Sequence, residues 1–233
     1  VLFRSGVTIS SSITLSPIWN AGTYTITYDY KNATGDSATA TSSYTTGGAT
    51  ITLPTPTRTG YTFSGWSTTD GGAVNATSPY TTSSSRTLYA IWSGNTYTIT
   101  YDTSTATSGT TTNTTQSYTT GGSALTLNGA GTLAKTGYTF GGWTTGGGSP
   151  TTYTTGQTGV TISSSITLSP IWNAGTYTIT YDTSTATSGT TTNTTQSYTT
   201  GGSALTLNGE GTLAKTSKVF GGWTTGGGSP TTY

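Results

Sequence analysis

GYTFSGW, Gly60 to Trp66, is the stretch that decides the fold, and the chain writes it three times. It returns as GYTFGGW at Gly137 to Trp143 and, altered, as SKVFGGW at Ser217 to Trp223. Strand alternation puts Tyr61 and Phe63 on one face. A regular strand would send Trp66 to the other face, but Gly65 intervenes, and glycine is doubled at Gly141-Gly142 and Gly221-Gly222. A glycine there predicts a bulge, whose extra residue re-aims the tryptophan onto the face of the phenylalanine. Burying a Trp removes roughly 150–250 Å² from water, worth on the order of 4–6 kcal/mol as an upper bound. Few other groups in so threonine-rich a chain contribute as much. The motif therefore reads as the core of a repeated unit: Gly60, Tyr61, Phe63, Gly65 and Trp66 with Trp92, then Gly137, Tyr138, Phe140, Gly142 and Trp143 with Trp172, then Phe220 and Trp223.

Outward from the motif, the repeats set the organisation. Gly6 to Asp29 is identical to Gly159 to Asp182, an offset of 153, and Thr96 to Gly129 is identical to Thr176 to Gly209, an offset of 80. The recurring TYTITYD begins its tyrosines at Tyr24, Tyr97 and Tyr177, so successive periods are 73 and 80 residues. The extra seven residues fall in loops, which absorb insertions at little entropic cost. Residues 1–5, VLFRS, match no other copy and read as a non-native scar. Residues 6–20 read as the last strand of an incomplete repeat; repeat one spans 21–93, repeat two 94–173, and repeat three 174–233, ending before its last strand. The missing initiator methionine and the ends within repeats make the chain read as a fragment.

Within repeat one, Tyr24, Ile26 and Tyr28 alternate with Thr25, Thr27 and Asp29, a half-buried strand. Ala38 to Thr45 reads as a second strand and Ala49 to Leu53 as a third, ended by Pro54 and Pro56. Tyr61 to Trp66 is the fourth and Arg86 to Trp92 the last. Repeat two writes its last strand as ITLSPIW, Ile166 to Trp172, where Pro170 implies an edge or an N–H that points away from a partner. Asn128-Gly129 alone reads as a type I′ hairpin, but repeat one has prolines there, so a variable connection is the other reading.

Composition supports small units with thin cores. Hydrophobic residues make up 30% of the 233, charged residues 6%, and 11% are aromatic, with a net charge of +1. Disorder at low hydrophobicity goes with high net charge and few aromatics, which this chain lacks. Threonine, tyrosine and tryptophan favour strands, so the expected class is mainly β with little or no helix. So small a net charge offers no field for nucleic acid, and no apolar run approaches the ~18 residues of a membrane helix. With no cysteine, neither a disulfide scaffold nor a thiolate metal site is open to it.

The strand ending in aromatic-Asp, the Gly-Gly turn, LPTPTRTGYTFSGW and a closing TLYAIW about 26 residues after the GW together resemble the Listeria–Bacteroides repeat, the unit of the internalin B-repeat type. The match covers all of repeat one and most of repeat two, where YAIW has become SPIW; in repeat three GYTF has become SKVF. The resemblance implies β-grasp-like modules in tandem on a bacterial cell-surface or secreted protein, acting as stalk or adhesin. It carries over no catalytic residue, cofactor or metal. The partner it implies is a host, matrix or cell-wall ligand, a glycan among the candidates.

Catalysis needs groups that attack, transfer protons or hold charge. Without histidine or cysteine, the candidates are Asp29, Asp36, Asp70, Asp102, Asp182 and Glu210. Only Asp29, Asp102 and Asp182 recur, one per repeat, which offers no carboxylate pair for glycoside hydrolysis and no calcium loop. They read as turn residues at a strand end. Sequons at Asn32, Asn75, Asn113 and Asn193 arise easily in so much threonine. Two other binding readings remain. A carbohydrate-binding module needs coplanar, exposed Tyr and Trp faces. Ice binding needs threonine rows in strict register, which these periods oppose.

The short polar linkers Ser93-Gly94-Asn95 and Asn173-Ala174-Gly175 give each repeat its own core in an extended array. Without a closing strand, Tyr177, Ile179 and Tyr181 are expected along an open edge. Val7, Ile9, Ile13, Leu15, Ile18 and Trp19 have no body to cover, so the first strand should be loose or pack on repeat one. Head-to-tail strand exchange between chains follows as an expectation.

Overall fold

A computed structural model describes residues 6, 8–35, 40–226 and 231–233. The expectations placed on residues 1–5, Val7, Asp36 and Ala38 lie outside the described residues. Among those described, every regular element is a strand and there is no helix. The chain divides into two compact units, Val1–Asn95 and Thr96–Tyr233.

The first unit holds β1 (Thr23–Asp29), β2 (Thr41–Thr45), β3 (Tyr61–Ser67) and β4 (Arg86–Gly94) in one sheet of order β2-β1-β4-β3. Ile26 and Tyr28 are buried while Thr25 and Thr27 are exposed, the alternation read from TYTITYD. β1 pairs antiparallel with β2, and the Thr23 and Thr45 hydroxyls meet across the pair at 3.0 Å. β1 then pairs in parallel with β4, so the first and last strands of the repeat lie side by side. The core is Ile26, Tyr28, Leu53, Trp66, Ala76, Tyr80, Leu88 and Ala90.

Two expectations are corrected here. Ala49 to Leu53 is no strand: Ile51 makes a single bridge to Tyr80, and the Leu53 N–H turns to the Ser78 hydroxyl at 2.8 Å. Pro54 and Pro56 then remove the donors that a longer ladder would need. Ser93 and Gly94, expected as linker, end β4 opposite Thr62 and Tyr61.

The second unit repeats the plan with β5 (Thr96–Tyr101), β6 (Thr115–Thr119), β7 (Tyr138–Thr144), β8 (Thr152–Tyr153) and β9 (Ile166–Ala174), in the order β6-β5-β9-β7-β8. β9 lies between β5 and β7, so Pro170 is on no edge. The parallel ladder from β5 stops instead, ending at Tyr101↔Leu168, whereas in the first unit it runs one pair further, to Asp29↔Tyr89. Proline has no N–H to continue it where repeat one has Ala90. Asn173 and Ala174, also expected as linker, belong to β9 and pair with Thr139 and Tyr138. Asn128-Gly129 forms no hairpin; the nearest pairing is a bridge from Leu125 to Val160. All nine buried members of this unit's core lie between Ile99 and Leu168.

Repeat three follows in the same unit as a two-stranded sheet of β10 (Thr176–Thr180) and β11 (Thr195–Thr199). Beyond it come isolated bridges, Ser188↔Ala214 and Thr224↔Thr232. Its hairpin meets repeat two, where a Cβ on Gly137 would stand 2.7 Å from the Thr200 hydroxyl. At the other end, residues 8–20 form no strand, and Leu15, Ile18 and Trp19 are 84–88% exposed. The first strand is loose and does not pack on repeat one.

Candidate functional site

The tryptophan motif is built by one irregularity. Phe63 pairs with Trp92 and Gly65 with Ile91, so Ser64 is the extra residue of a bulge; repeat two slips identically between Phe140 and Gly142. Gly65 has φ 140° and Gly142 has φ 123°, backbone that side chains rarely adopt. A Cβ on Gly142 would also stand 2.3 Å from the Tyr153 carbonyl oxygen. The bulge turns Trp66 and Trp143 inward, 2% and 0% exposed.

Around each indole the rings meet edge to face. Phe63 lies 5.6 Å from Trp66 and 5.3 Å from Trp92; Phe140 lies 5.1 Å from Trp143 and 5.9 Å from Trp172. Trp66 Nε1 donates to the Pro54 carbonyl and Trp143 Nε1 to the Asn128 carbonyl, each at 2.8 Å. Trp92 and Trp172 are half-buried, donating to the Tyr30 carbonyl at 3.1 Å and the Thr105 hydroxyl at 3.0 Å. Gly60 and Gly137 turn with φ 78° and 79°. Their carbonyls accept the N–H groups of Asn95 and Gly175. Tyr61 and Tyr138 are half-buried beneath cations, Arg58 at 3.8 Å and Lys135 at 4.8 Å from the ring centres.

Sequence reasoning missed two partners of the indole. Tyr28 meets Trp66 at a tilt with ring centres 5.1 Å apart, and Tyr101 meets Trp143 edge-on at 4.7 Å. The Tyr101 hydroxyl donates to Gln116 and accepts the Asn128 N–H, and burial pushes its phenol up. Asn128 joins them by giving its N–H to the tyrosine and its carbonyl to the tryptophan. The signal was the second tyrosine of TYTITYD, on the buried side of its strand.

The recurring carboxylates are turn residues. Asp102 and Asp182 each accept a backbone N–H two residues on, from Ser104 and Ser184, at 2.9 Å. Those bonds, above all, hold both carboxyls below the usual aspartate range. Asp29 accepts the Lys31 N–H at 3.0 Å, and the Lys31 ammonium sits 2.8 Å from Asp70 and 3.1 Å from Asp29. The bonds to Asp70 and then Asp29 raise that ammonium. No three acidic side chains among the described residues gather as metal ligands.

Every Trp, Phe and Tyr of residues 21–173 is buried or half-buried, so neither complete repeat offers a flat aromatic platform. A concavity lies in repeat three, a groove of about 850 Å³ lined by Ile179, Tyr181, Leu213, Phe220 and Trp223 among others. Phe220 is 36% exposed there and Tyr177 54% exposed. β10 pairs only with β11, so its other edge is unpaired among the described residues, but the expected exposure of Tyr181 is corrected: it is 5% exposed, covered by Trp223 at 4.7 Å and bonded to Gln196. Trp223 is half-buried and gives its Nε1–H to the Asn208 carbonyl at 2.7 Å.

The geometry around the tryptophan motif is that of a repeated structural core. Neither curated proteins nor solved structures yield a match to the chain. A family model, the Listeria-Bacteroides repeat domain, matches residues 24–91 and again 97–169. That family is typically found in bacterial surface proteins and is in general non-catalytic. With two tandem matches over most of its length, the chain belongs to the Listeria-Bacteroides repeat domain family.

Proposed function

We propose that the chain is a non-catalytic structural and adhesive region, a stalk or spacer, of a bacterial cell-surface or secreted protein. The observation that carries this reading is the parallel pairing of the first and last strands in repeats one and two. Tension along the chain enters repeat one at Thr23 and leaves at Gly94, pulling β1 and β4 in opposite directions along their shared ladder. Four partner pairs, Ile26↔Arg86 to Asp29↔Tyr89, are then sheared together and none opens first. Repeat two has three such pairs between β5 and β9. Buried Ile26, Tyr28 and Leu88, and in repeat two Ile99, Tyr101 and Leu168, lock the strands against sliding. Such a unit resists stretching, which suits holding a ligand-binding surface away from a cell.

Single-molecule force spectroscopy of the whole chain tests this. Two high-force steps are expected, each releasing on the order of 250 Å of extended chain. Moving the pulling points to Thr23 and Thr87, which unzips the same ladder from one end, should lower the force several-fold. Equal forces in the two directions would remove the mechanical basis of the reading.

A further inference from the structure

We infer that Asn128-Gly129 is a self-modification site that the fold of repeat two holds closed and that unfolding opens irreversibly. An asparagine followed by glycine is open to attack from within the chain, because no side chain hinders the glycine nitrogen. That nitrogen loses its proton to solvent and bonds to Asn128 Cγ. The Cγ–Nδ2 bond breaks, and the nitrogen takes up a proton from solvent and leaves as ammonia. Water then opens the cyclic imide at either carbonyl, so aspartate or isoaspartate stands where the amide was. The other asparagines precede alanine or threonine, apart from Asn208 of repeat three, which also precedes glycine.

Closing that ring needs rotation of the side chain and of the main chain, and repeat two ties both. The carboxamide Nδ2, which must leave, donates to the Asn113 carbonyl at 2.8 Å and to the Thr111 hydroxyl at 3.3 Å. The Asn128 carbonyl, which must turn with Gly129, accepts Trp143 Nε1–H at 2.8 Å, and the Asn128 N–H donates to the Tyr101 hydroxyl at 3.0 Å. Tyr101, Thr111 and Trp143 are all buried. The reaction therefore runs from the opened repeat, at a rate scaled by the opening equilibrium. Its product no longer fits the lock. A carboxylate only accepts, yet it would face the Asn113 carbonyl oxygen and a Thr111 hydroxyl that already donates to that carbonyl at 2.8 Å. Isoaspartate adds a carbon to the main chain between the Asn128 N–H and Gly129. The fold itself does not demand this glycine: its backbone is not left-handed, and a Cβ there would come no nearer than 3.4 Å, to the Thr155 hydroxyl.

The inference stands apart from the stalk reading, since it asks only whether repeat two is folded. Its test is to incubate the whole chain in mildly alkaline buffer, with and without denaturing urea, and to follow the change of amide to acid by mass spectrometry. Trypsin cuts after Arg86 and Lys135, so the peptide Thr87–Lys135 carries Asn128 apart from Asn208, with Asn95 and Asn113 as slow internal references. Conversion at Asn128 should be on the order of tenfold or more slower in buffer than in urea. After return to buffer, the converted chain should fail to regain slow hydrogen exchange at the Tyr101 amide, which the Thr114 carbonyl holds in the native repeat. Chain kept as long in mildly acidic urea, where the Gly129 nitrogen keeps its proton, should regain it. Gly129→Ala should convert several-fold more slowly in alkaline urea and regain protection as well. Conversion as fast in buffer as in urea overturns the proposal. So does a converted chain that recovers full protection at Tyr101.

Discussion

Repeats two and three are nearly the same sequence in different company. Over residues 96–153 and 176–233 they differ only at Ala130/Glu210, Gly137/Ser217, Tyr138/Lys218 and Thr139/Val219. Their hairpins are alike: Tyr97↔Tyr118 and Tyr177↔Tyr198 hold the same register, and Tyr101 and Tyr181 are both about nine-tenths buried or more. Their cores are not alike. Leu127 and Leu133 are buried in repeat two, while Leu207 and Leu213 are half-exposed in repeat three. Local pairing and the Tyr–Asn–Trp bonds therefore need only the repeat's own first two-thirds. Closure of the core needs β9, a strand far away in sequence. Secondary structure here is local, and most of the burial is not.

The strongest way to break this comparison is to truncate the two indoles. Trp143→Ala should cost about 3–5 kcal/mol, as for a fully buried aromatic, whereas half-buried Trp223→Ala should cost about 1–2 kcal/mol. Hydrogen exchange of the matching amides of Tyr101 and Tyr181, bonded to the Thr114 and Thr194 carbonyls, reads each repeat separately. Equal losses would mean that repeat three has a core of its own.

A smaller effect separates sequence from company. Ser217 holds φ 58° where repeat two has glycine at 79°. Left-handed backbone costs a side-chain-bearing residue about 1 kcal/mol, so Ser217→Gly should stabilise repeat three by roughly that amount. The same exchange measurement would show it, and no gain would place the whole difference in β9, which has no counterpart among the described residues. Lys215 and Lys218 share the backbone bridge that Lys135 and Tyr138 make, so the ring beneath the first lysine has given way to a second cation.

The smallest effect is in acid. Asp102 and Asp182 are both held below the usual range, chiefly by the N–H groups of Ser104 and Ser184, but Asp102 also accepts a side-chain hydrogen bond from Ser169 of β9. A depressed carboxyl contributes stability above its unfolded pKa and loses it as pH falls through the folded one. Carboxyl-carbon NMR should therefore show Asp102 titrating at lower pH than Asp182. The reverse order would separate the aspartate turn from the closing strand.

The buried face of the first strand and the place of the bulge were legible because both are short-range: alternation in TYTITYD, a glycine before each tryptophan. What was not legible depended on distant partners. ATITL has strand propensity at Ala49 to Leu53, yet its one bridge goes to Tyr80, and a serine side chain takes the next N–H. Asn128-Gly129 looks like a hairpin turn until Tyr101, Asn113 and Trp143 claim the polar groups of Asn128. β8 was missed because two residues in a glycine-rich loop carry no period. The Tyr–Trp contact was half visible, since alternation put the tyrosine inside without naming its neighbour.

The parallel pairing of first and last strands also sets a clock. Ile26 and its partner Arg86 are 60 residues apart, so at ribosomal rates of about 5–20 residues per second β1 waits on the order of 3–12 s for β4 to be made. Throughout that wait Ile13 to Asn20, worded like the closing strand of repeat two, is already synthesised. Only Ala21 and Gly22 separate it from β1. A parallel ladder needs a crossover of roughly a dozen residues or more, so the nearest copy of the closing strand is the one that cannot reach. The tether's shortness thus guards each nascent repeat against the wrong partner until its own arrives.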